Sequence, residues 1–174
     1  MLRMVIEGVG FDHLKQTVVV LKDWESQKLL PIWIGPSEAK AIALELEGAK
    51  PSRPLSHDLL LAAIQLAQAT VTRVVINDLQ DSTFYATIDV DTPDGIRHID
   101  ARPSDALAVA VRAKCPVFVD GGAEEALIEM SDVVTSGEEA EEDNLLEVDD
   151  ESTPAAGTPD EIERFKRLLG DLED

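Results

Sequence analysis

The segment GPSEAKAIAL at residues 35–44 returns as RPSDALAVAV at residues 102–111, 67 positions later, with proline, serine, acid and alanine in matching places. Repetition of this length points to a duplicated structural unit. Each copy opens on a proline, Pro36 or Pro103, tolerated in a first helical turn because the N–H it lacks would have no partner there. Beyond Pro36, Ala39, Ile42, Ala43 and Leu46 recur at three and four, which predicts an amphipathic helix. Three runs rich in β-branched residues precede each copy: 3–11, 16–23 and 28–34 before the first, 71–79, 83–90 and 96–101 before the second. The expected fold is therefore α/β (α+β), a single domain over residues 1–125 built from two β3α units. Their apolar faces should pack together, because neither half could bury its sheet alone.

Between the copies, Pro51 and Pro54 prevent the first helix from continuing. Ser56 is placed to cap a second helix running to about Ala69, with Leu59, Leu60, Ala63, Ile64 and Ala67 on its buried side. Thr92 to Gly95 reads as a turn, and residues 116–119 as a last short strand. Residues 131–157 are dense in like charge and poor in apolar side chains, so an acidic disordered linker is expected there. Residues 158–174 regain helical signals: Thr158 and Glu161 have capping-box spacing, and Ile162, Phe165, Leu168, Leu169 and Leu172 share one side.

The formal charge of −20 is unevenly placed: residues 1–120 hold 16 acids against 12 Lys and Arg, and residues 121–174 hold 19 against 3. Such acidity repels non-specific polyanion contact. A high-salt host is one source of it, and a regulatory tail that mimics nucleic acid and covers the core is another. The lone Cys115 excludes an internal disulfide, and no run of about 18 apolar residues occurs, so a cytoplasmic protein without membrane contact is expected. Phosphate loops, dinucleotide fingerprints, H-E-x-x-H zinc motifs and an aromatic-rich RNA platform are absent from the sequence.

Several polar residues could carry chemistry. Glu38 and Asp105 hold the third position of equivalent helices; each could cap its helix start, or the two could share a groove and hold a divalent cation. His57 and Asp58 open the second helix, where His57 could move a proton or serve as a structural hydrogen-bonder. Arg102 could receive a phosphate together with the helix start behind it, or pair with Asp105. Ser104 lacks nucleophile surroundings, which favours capping. Glu45 and Asp78 are further candidate acids, while His98, on an exposed strand face, and His13 have no evident partners.

Taken in order and spacing, LPIWIGPSEAKAIALELEG, PSRPLSHDLL, STFYATI and ARPSDALAVAVRAKCPVFV resemble the bacterial bifunctional nuclease family over about residues 3–120. The resemblance implies duplicated β3α units and a nuclease acting on DNA and RNA. It sets the family's polar positions on Glu38, His57, Asp58, Arg102, Ser104 and Asp105. On that basis His57, Asp58, Arg102 and Asp105 are expected to be catalytic, Arg102 and Ser104 to bind substrate, and Glu38, Asp58 and Asp105 to hold Mg²⁺ or Mn²⁺. The alternative is a non-catalytic homo-oligomer, dimer or trimer, binding a small anion or a protein partner and associating through sheet edges or the helix faces around Ile42 and Val109.

Overall fold

The computed structural model of the chain describes residues 1–12 and 14–130. Strands β1 (Leu2–Phe11), β2 (Thr17–Asp23) and β3 (Lys28–Trp33) lead into helix α1 (Pro36–Leu46). After α2 (Ser56–Leu66), strands β4 (Thr70–Gln80), β5 (Thr83–Thr92) and β6 (Gly95–Ala101) lead into α3 (Pro103–Ala113). The β3α order thus occurs twice, as the repeated segment requires. A three-residue strand β7 (Val117–Val119), a 3₁₀ turn (Gly121–Ala126) and a short β8 (Ile128–Glu129) follow. His13, the linker expected over 131–157 and the helix expected over 158–174 lie outside the described residues.

The eight strands of the described residues form one sheet, in the order β6-β5-β4-β7-β1-β2-β3-β8. β7 runs antiparallel to β1 and parallel to β4, so the two units flank it in opposite senses. The units therefore join through β7, and their apolar contact is made by α1 against α3. Leu21, Ile42, Ile76, Leu107 and Val109 sit fully buried in the core. Ile42 and Val109 themselves close the domain and are not offered to a partner.

β-Bulges interrupt the β1–β2 pairing between Ile6 and Gly8 and the β4–β5 pairing at two places. Bulges bend strands and increase twist. In a flat sheet, β3 and β5 with four strands between them would stand about 24 Å apart. Here Trp33 at the end of β3 and Phe84 at the start of β5 line one cleft, so the sheet curls strongly.

The second helix departs from expectation in two ways. Leu55, not Ser56, is its N-cap, and Ser56 is the first helical residue. The helix also turns a different face inward: His57, Asp58, Leu61 and Ile64 are half-buried, whereas Leu59, Leu60, Ala63 and Ala67 are exposed. Periodicity located an apolar stripe, but α3 takes the face that carries the polar pair. Leu46, at the end of α1, is likewise exposed. No helix among the described residues is long and apolar enough to cross a membrane.

Candidate functional site

Helices α1, α2 and α3 each carry an acid at the third position: Glu38, Asp58 and Asp105. They do different things. Asp58 turns back to its own helix start, accepting the Leu55 N–H at 2.7 Å, and its other oxygen accepts Arg112 Nε at 2.7 Å. Glu38 and Asp105 instead turn outward to one guanidinium. Arg102 donates from Nε to Asp105 Oδ2 at 2.6 Å, and from Nη2 to Asp105 Oδ1 and to Glu38 Oε1, both at 3.2 Å. His57 Nε2 stands 3.1 Å from Asp105 Oδ1.

The duplication explains why these groups meet. With α1 packed on α3, the two helix starts come together, and the proline-rich linker carries α2 to the same place. Gly35 and Arg102 occupy the equivalent N-cap positions of α1 and α3. A side chain at Gly35 would displace the Glu38 carboxylate from its place beside Arg102, while the equivalent position of α3 supplies that cation. Glu38, His57, Arg102 and Asp105 line a solvent-open cleft of about 690 Å³ with Lys40, Pro54, Leu55 and Ser56.

The electrostatics follow from these contacts. The Arg102 hydrogen bond, opposed by partial burial and helped by His57, holds the Asp105 carboxyl below its usual value. An ionised Asp105 accepts hydrogen bonds only, so His57 Nε2 must carry the proton that lies between them. Nδ1 of His57 is then the ring's basic nitrogen. Arg102 Nη1 has no hydrogen-bond partner among the described residues, and two-thirds of the side chain is open to solvent.

Asp58 lies apart from this set, in a neighbouring cleft with Glu45, Arg53 and Arg112. Burial pushes its carboxyl upward, but the Leu55 N–H and the Arg112 guanidinium outweigh that and hold it low. Ser104 is buried at the second helical position of α3, lines a different cleft and does not cap its helix. Asp78 bonds Gln80 and the Leu79 N–H. His98 lies exposed as expected but is not without a partner, since its Nδ1 meets the buried Asp89 at 2.7 Å.

These positions do not fit a resident divalent ion. Both Glu38 and Asp105 face a guanidinium, Asp58 is committed to Arg112, and no three His, Cys, Asp or Glu side chains gather as a metal set among the described residues. Lys40 and Arg112 were missed by sequence reasoning. A signal for Lys40 existed, because positions 35/102 and 40/107 are the two at which the copies differ in chemical class. Arg112 reads as an ordinary last-turn cation and offered no such mark.

A family model described as "Bifunctional nuclease domain" matches residues 19–132, which includes every residue of the cleft. The chain belongs to that family. Two uncharacterized proteins of Mycobacterium tuberculosis, one from strain CDC 1551 / Oshkosh and one from strain ATCC 25618 / H37Rv, are each 40% identical over 154 residues, 88% of this chain and 84% of theirs. This bifunctional nuclease domain therefore carries the Glu38–Arg102–Asp105–His57 chain inside the matched span.

Proposed function

We propose that this bifunctional nuclease domain hydrolyses phosphodiester bonds of DNA and RNA in the cleft between the starts of α1, α2 and α3. The single observation that carries the reading is the continuous chain from His57 through Asp105 and Arg102 to Glu38 in one open cleft. Asp105 fixes the imidazole so that Nδ1 accepts a proton from an attacking water. Arg102, through Nη1, and Lys40 offset charge on the non-bridging phosphate oxygens. As the new P–O bond forms, the bond to the leaving sugar oxygen breaks, and the proton on His57 passes to that oxygen. Glu38 holds Arg102 in place without contacting the reacting atoms. Mg²⁺ or Mn²⁺ would reach the cleft on the substrate's phosphates and not from a preformed cage, so calorimetric titration of the free protein with Mn²⁺ should show no saturable heat. A reducing cytoplasm suits the single thiol, since burial pushes Cys115 up to about 11 and keeps it unreactive.

His57→Ala and Asp105→Asn should each lower kcat on single-stranded DNA and RNA by about 10²-fold or more. Residual activity equal to that of the natural protein in both variants would remove the catalytic reading. The second reading, a non-catalytic oligomer binding an anion or a protein, draws support from the exposed apolar face of α2, where Leu59 and Leu66 are 69% and 86% exposed. We propose that this face makes a contact between copies of the chain, which is compatible with either reading.

A further inference from the structure

We propose that the cleft on the other side of the Arg102–Glu38 pair is a nucleobase subsite, and that the substrate it selects is single-stranded nucleic acid. The inference rests on the reading of the neighbouring cleft as a phosphate site. Glu38 and Arg102 line both clefts, so a chain whose phosphate meets Arg102 has one side facing His57 and the other facing this second space. The second space is about 310 Å³, with Trp33, Phe84, Ser82, Thr83 and Ser104 on its walls. That size admits a single nucleoside unit.

Its chemistry is that of a stacking platform. The chain has seven aromatic residues, two Trp, one Tyr and four Phe, and two of them stand here. Trp33 is 54% exposed, yet it is not free to turn: Nε1 donates to Asp12 Oδ2 at 2.9 Å, and the Asp12 carboxylate also accepts the Leu14 and Gln16 N–H groups. A half-exposed indole that lines a cleft while its edge is tethered is preorganised for stacking. Phe84 is half-buried and packed on the core, which fixes the opposing wall. Ser82 and Thr83 add hydroxyls at the rim. Ser82 takes φ near +60° in the two-residue turn it forms with Asp81 between β4 and β5.

This lining offers π-faces and rotatable hydroxyls instead of a fixed donor–acceptor pattern, which makes recognition tolerant of base identity. A base must leave its stack to enter, so a duplex is disfavoured and a single strand is taken. The result accounts for one domain acting on both DNA and RNA.

The test uses the full chain with Trp24→Phe, in which Trp33 is the sole tryptophan. A ten-nucleotide oligothymidylate should quench its fluorescence saturably, whereas an abasic oligomer of equal length and a duplex of equal length should not. In the otherwise natural chain, Trp33→Ala should weaken oligothymidylate binding about tenfold or more while Trp33→Phe restores most of it. The preference for base-bearing over abasic oligomer should collapse in Trp33→Ala alone. Equal quenching by the abasic oligomer, absence of quenching, or an unchanged Kd in Trp33→Ala would each overturn the subsite. A protein that hydrolyses nothing but shows base-dependent quenching, in the His57→Ala background as well, would remove the catalytic reading and leave the subsite standing.

Discussion

Asp58 and Asp105 share residue type and helical position, and their neighbours alone give them separate work. Asp58 is tied to Arg112, whose side chain is only 4% exposed and which also donates to the carbonyls of Ala41 and Ala108, so one guanidinium binds α1, α2 and α3 together. Removing one partner of a buried pair leaves an uncompensated charge. Asp58→Ala should therefore lower stability by roughly 3 kcal/mol in urea titration. Asp105→Asn should lower hydrolysis by the same roughly hundredfold or more with a much smaller shift of the urea midpoint, since Arg102 and His57 are nearer the solvent than Arg112. Asp89 allows a pH test: burial pushes its carboxyl up, but His98 and Arg73 outweigh it and hold it below its ordinary 3.8. Because the folded value is depressed, its stabilisation is complete above that ordinary value and fades as pH falls through the folded one. Asp89→Asn should thus be less stable than the natural protein by roughly 2 kcal/mol at pH 7, and the gap measured by urea unfolding should narrow below pH 4.

Among the elements, α2 shows where periodicity stops short. The apolar stripe through Leu59, Leu60, Ala63, Ile64 and Ala67 was visible as a stripe, but a stripe does not say what it meets. α3 accepts the face with His57, Asp58, Leu61 and Ile64, because Arg112 and Asp105 on α3 pair with two of those side chains. The apolar face is left toward solvent. Leu59→Lys combined with Leu66→Lys should reduce the molar mass seen by light scattering to that of one chain and leave far-ultraviolet circular dichroism unchanged. A mass unaffected by both charges would place any self-association elsewhere. For β7, residues 116–119 were readable as a short strand, yet nothing local marks it as the strand that joins the two units.

At the scale of the molecule, the charge of −20 and the proposed substrate coexist because the acids are concentrated beyond residue 120 and the cleft itself has two cations, Arg102 and Lys40, against Glu38 and Asp105. So small a cationic patch sets a modest salt dependence. The logarithm of single-strand affinity should fall with the logarithm of salt concentration with a slope of about −1.4, the value for two neutralised phosphates. A slope several times steeper in fluorescence titrations would require cations outside this cleft.

The sequence by itself determined the two β3α units, the helix starts with their acids, and the family. Those are properties of periodicity, turn chemistry and repeated segments, which act over a few residues at a time. Tertiary structure alone decided that Glu38 and Asp105 share Arg102 while Asp58 leaves for Arg112, that Ile42 and Val109 are core, and that Trp33 and Phe84 face one space. Each depends on contacts between residues tens of positions apart, fixed by the strand order about β7, by the curl of the sheet and by which face each helix turns inward.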